Sequence, residues 1–235
     1  MIDSIVIIPT YNEVDNIEAI SKAVLAVDKR IDVLIVDDNS PDGTGAKADN
    51  LALQELRIHV LHRQTKKGLG RAYLAGFEWA LAKSYRYIFE MDSDFSHNPC
   101  FLPLFFKEMD AGADLVLGSR YVKGGGTVNW GLMRRIISRG GSFYARSILG
   151  LPIKDLTGGF KCFRRETLEN LDLCNVRSTG YSFQVELTYR AINRGFNVRE
   201  VPIVFEDRRV GKSKMSKKIF FEAVIMVVKL RFSEI

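Results

Sequence analysis

The sequence predicts an α/β fold in which a mostly parallel central sheet is flanked by helices on both faces. Over the first half of the chain, short and almost wholly apolar segments alternate with amphipathic stretches. Continuous apolar strands are typical of a parallel sheet that is buried on both faces, and their alternation with helices indicates crossover connections. No linker rich in Pro, Gly or Ser and no internal repeat divides the 235 residues, so we expect a single domain at 1–235.

The elements of the first half follow one another as strand, helix, strand. The predicted strands are 4–9, 32–37, 58–62, 87–91 and 114–119. The predicted helices are approximately 16–27, 43–53, 68–84 and 101–111. After Tyr121 this alternation ends, and the second half is less regular.

In the second half, GGGTVNWG (124–131) is predicted to be a flexible loop that leads into a basic helix over about 132–149. A further helix is predicted near 182–195 and a strand in VREVPIVF (198–205). A basic loop and an amphipathic C-terminal helix at 218–232 end the chain. Its longest apolar run is too short to span a bilayer. Burial against the domain would explain part of its apolar face, and we expect the rest, which is flanked by basic residues, to lie in a membrane interface.

The composition is that of an ordinary globular protein and excludes disorder, with 46% hydrophobic and 26% charged residues. The 34 Lys and Arg exceed the 28 Asp and Glu, which gives a net charge of +6. Such an excess attracts phosphates, nucleic acid or an anionic membrane without choosing among them. The segment RRVGKSKMSKK (208–218) has six basic and no acidic residues, which favours a phosphate partner over a merely solvated basic face.

The cysteines and the N-terminus indicate the compartment. Cys100, Cys162 and Cys174 show neither a pairing pattern nor metal-ligand spacing, so we expect free thiols in a reducing compartment. The sequence begins on a strand, without the pattern of a signal peptide, and no run approaches the roughly 20 apolar residues of a membrane span. We therefore expect a cytoplasmic protein.

Polar clusters follow four of the predicted strands: PTYNE (9–13), DDNSPDGT (37–44), DSD (92–94) and SR (119–120). The carboxyl ends of parallel strands meet at one edge of a sheet, where ligands bind in open α/β folds. One such cluster would be a solvated turn, whereas four at one edge indicate a site. Asp92 and Asp94 then predict a site for Mg²⁺ or Mn²⁺, which take few protein carboxylates and complete their shells with phosphate oxygens.

Two common phosphate-binding folds are disfavoured. A dinucleotide-binding Rossmann domain needs a Gly-rich turn after the first strand, where this chain has Pro9-Thr10-Tyr11-Asn12-Glu13. The GLG at 68–70 lacks a third glycine and follows the third strand, and a P-loop motif is also missing. Phosphate must be held here by something other than a glycine cradle.

Seven segments together resemble one known family: IIPTYNE, VDDNSPDGT, GLGRAYLAGF, MDSDFSHNP, GSRY, DLTGGFKCF and VPIVFEDRRVGKSKM. They resemble the polyprenol-phosphate (dolichol-phosphate) mannosyltransferases, which are inverting family 2 glycosyltransferases with the GT-A fold. The resemblance covers residues 3–218. The QxxRW signature of processive polysaccharide synthases is absent, which disfavours polymer synthesis.

The resemblance implies a donor site for GDP-mannose. The residues implied at the nucleotide are Pro9, Tyr11, Glu13, Val36 and Asp38, with the Asp38 carboxylate accepting from the base. The residues implied at the ribose and diphosphate are Asp92, Ser93 and Asp94.

The resemblance also implies a metal site and a closing loop. Asp94 would be the main ligand of Mg²⁺ or Mn²⁺, together with Asp92 and with Ser96, which stands where some relatives have Gln. Arg208 and Lys214 would close over the diphosphate.

The implied acceptor is a polyprenyl or dolichyl phosphate at a membrane surface, with no nucleic acid partner. Arg134 and Ser138 are four residues apart on the basic helix and can face one phosphate, which Arg120 would meet from the other side. Arg135 and Arg139 would point elsewhere, toward anionic lipid headgroups. The resemblance also allows a separate membrane-anchoring subunit.

A phosphate acceptor already carries its nucleophilic oxygen, so the implied chemistry needs no general base. Catalysis reduces to positioning and charge stabilisation, with Asp94, Arg120, Arg208 and Lys214 as the implied catalytic residues. Two alternatives stay open from sequence. The donor could be UDP-glucose or another UDP-sugar, and the chain could be a non-catalytic module that binds a nucleotide sugar or a lipid phosphate.

Overall fold

The computed structural model describes residues 2–176, 178, 180–206 and 217–232, and within helices it leaves the side chains of 181 and 217–223 undescribed. The strands are β1 Ser4–Thr10, β2 Ile31–Asp37, β3 Ile58–His62, β4 Tyr87–Glu90, β5 Leu115–Ser119, β6 Gly126–Val128, β7 Lys161–Arg164, β8 Val198–Pro202 and β9 Val204–Glu206. The α-helices are α1 Ile17–Leu25, α2 Thr44–Gln54, α3 Leu69–Leu81, α4 Leu102–Asp110, α5 Leu132–Leu149, α6 Arg165–Glu169, α7 Tyr181–Asn193 and α8 Lys217–Arg231. Short 3₁₀ turns occupy Pro99–Phe101 and Leu173–Asn175.

Seven of these strands form one sheet in the order β3-β2-β1-β4-β7-β5-β8. Strand β7 runs antiparallel to both of its neighbours, and the remaining pairs are parallel. The predicted mostly parallel central sheet is therefore confirmed. A separate pair of short parallel strands, β6 and β9, lies beyond the end of β5.

Helices cover both faces of the sheet, because alternate side chains of each strand point to opposite faces. Ile5 and Ile7 of β1 belong to a core with residues of α3, α5, α6, α7 and α8. Val6 and Ile8 belong to a second core with residues of α1, α2 and α4. This two-sided burial explains why β1 and β2 are almost entirely apolar in sequence.

The structure corrects three details of the second half. The segment predicted as a flexible loop contains β6, which pairs with β9. Strand β7 was not expected, because the charged Lys161 opens it and hides its buried character. The strand predicted at 198–205 is divided at Ile203 into β8 and β9, which join different sheets.

Helix α3 approaches β1 closely at Gly76. A Cβ atom at this position would lie 2.6 Å from Cγ2 of Ile7 and 3.4 Å from Cγ2 of Val36. Both neighbours are fully buried, so little room exists for them to move. The absence of a side chain at Gly76 therefore sets the distance between this helix and the sheet.

We predict that Gly76→Ala lowers the free energy of unfolding by roughly 1–3 kcal/mol, because it overpacks this contact. Gly140→Ala is the matched control, since Gly140 lies in α5 and a Cβ atom there would have no neighbour within 4 Å. At that position the helix propensity of Ala should stabilise by roughly 0.5–1 kcal/mol. Urea unfolding measures both changes, and a Gly76→Ala variant as stable as the parent would contradict the packing argument.

Candidate active site

The polar segments after β1, β2 and β4 meet at the carboxyl edge of the sheet, as predicted. The SPDGT segment ties the first two together. The backbone N–H groups of Asn12 and Glu13 donate to Ser40 Oγ (3.1 Å) and Thr44 Oγ1 (2.9 Å). Asp42 accepts from the backbone N–H of Val14 at 3.2 Å. The motif is thus a set of short polar side chains that fix the PTYNE loop, which places Tyr11 and Glu13 at this edge.

Tyr11 presents an aromatic face at the predicted nucleotide site. The Lys66 ammonium lies 3.6 Å from the centre of the Tyr11 ring, in the geometry of a cation–π contact. Glu13 accepts from the side-chain amide of Asn16 at 2.9 Å. The Tyr11 ring is therefore a flat surface on which a planar nucleotide base could stack, with the Lys66 ammonium close by.

Asp38 and Val36 lie deeper than the sequence suggested. Asp38 is buried and pairs with the guanidinium of Arg63 through one carboxylate oxygen. Burial raises the pKa of Asp38 above its ordinary value, while Arg63 opposes that change. The Val36 side chain lies wholly in the core beside Gly76, and its backbone lies between β1 and β3, so its predicted contact with the nucleotide remains a prediction. Arg63 was not foreseen from sequence.

The aspartate pair lies on a tight loop directly after β4. Asp94 is buried, and its Oδ1 accepts from the backbone N–H of Ser96 at 3.1 Å. Asp92 is more exposed and accepts from the Tyr73 hydroxyl at 3.5 Å. Phe95 has a φ of 61°, a left-handed conformation that is strained for a bulky residue. The loop therefore holds its two carboxylates in a fixed and strained backbone.

The donor set of this loop fits a hard divalent cation. Ser96 Oγ is buried and has no hydrogen-bond partner among the described residues, although it lies two positions from Asp94. Within the described part of the chain no group of three or more His, Cys, Asp or Glu residues could hold a metal ion. Two carboxylates and one hydroxyl suit Mg²⁺ or Mn²⁺ only if substrate oxygens complete the shell, as is usual for these ions.

His97 supports the aspartate loop from below. Its Nδ1 accepts from the backbone N–H of Asp92 at 3.1 Å, and its ring stacks on Phe160 at 5.1 Å. Burial lowers the pKa of His97, so the ring is neutral and the bond to Nδ1 places its proton on Nε2. Gly159 lies beside the same ring, since a Cβ atom there would lie at an ordinary van der Waals distance of 3.4 Å from Cε1 of His97. The TGGF segment (157–160) thus packs against His97, which in turn holds the aspartate loop.

Two buried ionisable side chains of opposite charge type lie next to Asp92 on neighbouring strands. Glu90 of β4 and Lys161 of β7 are cross-strand neighbours and both are fully buried. Burial raises the pKa of Glu90 to about 8 and lowers that of Lys161 to about 8, against the attraction between the two. Lys161 donates to Thr188 Oγ1 at 2.9 Å and to the carbonyl of Gln184. These groups link the floor of the site to α7.

Arg120 forms a buried ion pair at the end of β5. Its Nε and Nη2 donate to the two oxygens of Asp155 at 2.7 and 2.6 Å, and Nη2 also donates to Thr157 Oγ1 at 3.0 Å. The predicted contact of Arg120 with an acceptor phosphate remains a prediction. The structure adds that the charge of Arg120 is already compensated by a wholly buried carboxylate.

The predicted acceptor residues Arg134 and Ser138 lie on α5 near this pair. The Arg134 guanidinium lies 4.2 Å from the centre of the Trp130 ring, which the Arg120 guanidinium also approaches at 5.5 Å. Ser138 Oγ accepts from the Tyr121 hydroxyl at 2.7 Å. Aromatic rings thus join the two predicted phosphate-binding groups to the end of β5.

Other predicted residues have simpler outcomes. Pro9 and Ser93 lie at the carboxyl edge, at the end of β1 and between the two aspartates. Arg208 and Lys214 lie outside the described residues. His97, Arg63 and Asp155 were missed as site residues, although His97 and Asp155 stand inside segments that carried the family resemblance.

For the donor site that the sequence resemblance implies, we predict that His97→Phe weakens the binding of GDP with Mn²⁺ by about tenfold or more, because the backbone N–H of Asp92 then loses its acceptor. His97→Asn should retain most of the affinity, since its amide oxygen can occupy the position of Nδ1. Titration calorimetry measures the affinities, and thermal unfolding confirms that both variants are folded. Equal affinities for the Phe and Asn variants would show that the hydrogen bond does not position the loop.

Comparison with known proteins identifies the family. Residues 5–172 match the family described as Glycosyl transferase family 2. The chain is 51% identical over 225 residues to the polyprenol monophosphomannose synthase of Mycolicibacterium smegmatis, an alignment covering 95% of this chain and 85% of the relative. It is 47% identical over 223 residues to the undecaprenyl-phosphate mannosyltransferase of Micrococcus luteus, with 95% and 91% covered.

Among solved structures, the fold is similar to that of glucosyl-3-phosphoglycerate synthase from Mycobacterium tuberculosis in complex with Mn²⁺, UDP and phosphoglyceric acid. The TM-score is 0.73 at 18% identity, over 98% of this chain and 78% of that chain. At this identity the likeness shows the fold alone, and it confirms the expected GT-A fold. The chain belongs to glycosyl transferase family 2.

Proposed function

We propose that this protein transfers mannose from GDP-mannose to a polyprenyl phosphate, with inversion at the anomeric carbon. The observation that carries the proposal is the sequence identity of this chain to two relatives, 51% and 47% over 95% of the chain. Both relatives are named for mannose transfer to polyprenyl phosphates. The site agrees with this chemistry. The aspartate loop follows β4, and the arginine-bearing helix α5 contacts the chain just beyond β5, so both lie by the carboxyl edge of the sheet.

On the donor side, the proposed roles follow from the geometry of the carboxyl edge. Tyr11 offers a ring on which a base can stack, and the buried Asp38 carboxylate, held by Arg63, offers an acceptor for base N–H groups. Asp92 and Asp94 would hold Mg²⁺ or Mn²⁺. A bound cation of this kind supplies positive charge that stabilises the departing diphosphate.

On the acceptor side, a phosphate oxygen attacks the anomeric carbon, the bond from that carbon to the diphosphate oxygen breaks, and GDP leaves. No proton has to be removed from the attacking oxygen, so the site needs orientation and positive charge more than a base. Arg134 is the proposed cation for this phosphate, with Ser138 as a hydrogen-bonding neighbour. His97 suits this scheme as a neutral support of the aspartate loop rather than as a base.

A transfer assay tests the proposal directly. Radiolabel from GDP-mannose should enter a chloroform-soluble product when polyprenyl phosphate and Mn²⁺ or Mg²⁺ are present. The same assay with labelled UDP-glucose distinguishes a UDP-sugar enzyme of this fold. A protein that binds GDP-mannose but transfers no sugar from either donor would be the non-catalytic module instead.

We predict that Asp94→Asn lowers turnover by about 100-fold or more, because it removes a negative charge proposed to hold the cation. Asn keeps an oxygen that can accept from the Ser96 N–H, so the loop should stay folded. Initial rates across a Mn²⁺ titration measure the change, with thermal unfolding as the control. A variant with near-normal rates and unchanged Mn²⁺ dependence would refute the metal assignment.

We also propose that the protein works peripherally at the cytosolic face of a membrane. No helix in the described ranges is both long and apolar enough to cross a bilayer. Helices α5 and α8 pack against each other, and each exposes large apolar side chains beside basic ones. Among the described side chains, the large exposed apolar residues on the two helices or directly after α8 are Leu132, Met133, Ile136, Ile137, Phe143, Ile225, Val228 and Phe232.

The predicted interfacial role of α8 applies to one side of that helix. Val227 and Leu230 are buried in the core against the domain, and the Tyr144 hydroxyl donates to the carbonyl of Val224 at 3.1 Å. Ile225 and Phe232 point outward. Deleting the helix would therefore damage the core, so substitution of exposed residues is the better test.

We predict that the protein pellets with anionic vesicles at low salt and is partly released at high salt. Met133→Ser with Phe232→Ser should reduce the bound fraction severalfold, because these side chains are 68% and 84% exposed. Leu53→Ser with Leu56→Ser is the matched control, at 84% and 90% exposure near the end of α2. Equal binding by the two double variants would contradict a membrane surface on α5 and α8.

A further inference from the structure

A cavity of about 390 Å³ lies between α5 and the chain that leaves β5. From α5 it is lined by Leu132, Arg135, Ile136 and Arg139. These residues are spaced by three and four positions, so they form one continuous face of the helix. Tyr121 belongs to the opposite wall. One side of the cavity therefore combines two guanidinium groups with two aliphatic side chains.

The charges around this cavity are not balanced. Arg120 also lines it, but Asp155 compensates the charge of that residue. Arg135 donates to the carbonyl of Thr127 at 3.4 Å, and the Arg139 guanidinium lies 5.5 Å from the centre of the Tyr121 ring. Among the described residues neither Arg135 nor Arg139 pairs with a carboxylate, and no Asp or Glu lines the cavity. Two arginines that have no carboxylate partner in the described part of the chain therefore line the cavity.

The face that lines this cavity differs from the one that bears the proposed acceptor-binding residues. Arg134 lies over Trp130 and Ser138 accepts from Tyr121, and neither lines the cavity. Leu132 and Ile136 are largely exposed although they stand beside arginines. Aliphatic groups next to unpaired guanidinium groups match a ligand that has an anionic head and a hydrocarbon chain.

We propose that Arg135 and Arg139 bind the phosphate group of a lipid phosphate in this cavity, with Leu132 and Ile136 against the first carbons of its chain. The proposal rests on the proposed function, since it gives the lipid substrate or its membrane a second contact with α5. Two sources share this chemistry. One is the polyprenyl phosphate acceptor, and the other is an anionic phospholipid of the bilayer.

The test uses the double variant Arg135→Gln with Arg139→Gln in the full chain. The first arm measures binding of a short water-soluble prenyl phosphate by calorimetry, and transfer to it without any membrane. The second arm measures transfer to long-chain polyprenyl phosphate in vesicles of phosphatidylglycerol and phosphatidylcholine, together with vesicle pelleting. Lys29→Gln with Lys107→Gln is the control, since it removes the same charge from exposed positions before β2 and late in α4.

If the acceptor is the ligand, the arginine variant should raise the KM for the soluble prenyl phosphate by about tenfold or more while kcat and the KM for GDP-mannose stay near normal. If a bilayer phospholipid is the ligand, the losses should appear only in the vesicle arm. Unchanged behaviour in both arms, or equal losses in the lysine control, would overturn the proposal. Absence of transfer by the parent protein would instead refute the proposed function, while the calorimetric binding of prenyl phosphate would still test the cavity.

Discussion

The buried ion pair between Arg120 and Asp155 is the interaction on which the second half of the structure depends. It joins the end of β5 to the segment before β7, which are 35 residues apart in the chain. The backbone N–H of Asp155 also donates to the side chain of Glu200 at 3.0 Å, so Asp155 connects the end of β5 to the middle of β8. Removing either partner would leave an uncompensated buried charge, which typically costs about 3–5 kcal/mol.

This pairing also determines which cations are left for ligands. A guanidinium with two carboxylate contacts in the interior offers little net charge to a phosphate, although its remaining edge can still donate a hydrogen bond. For the proposed lipid phosphate, α5 offers positive charge in Arg134, Arg135 and Arg139, which stand on adjoining faces of the helix. Burial explains why these arginines differ. Arg120 in the core is paired with a carboxylate, whereas the arginines on the surface of α5 are exposed or stacked on aromatic rings.

Much of the first half could be predicted because its signals are local. Each predicted strand is an apolar run, four of the five end in a polar cluster, and the parallel arrangement alone brings those clusters to one edge. Strands β6 and β7 could not be found in this way, since each is short and becomes a strand only through pairing with distant segments. Asp92 and Asp94 were visible as carboxylates at the end of a buried strand, whereas His97 was not. Its partner is a backbone N–H, and no residue pattern shows that geometry.

The loops at the carboxyl edge of the sheet share a strained backbone conformation. Asn12, Asn39 and Phe95 have φ values of 61°, 56° and 61°, one in each of the loops after β1, β2 and β4. Asn tolerates this conformation, but for Phe95 it costs on the order of 1–3 kcal/mol. The surrounding bonds maintain it, since His97 holds one side of the loop and the contact from Ser96 to Asp94 holds the other. A loop restrained in this way keeps its carboxylates oriented before any ligand arrives, so the proposed binding of a diphosphate would require little reorganisation of the protein.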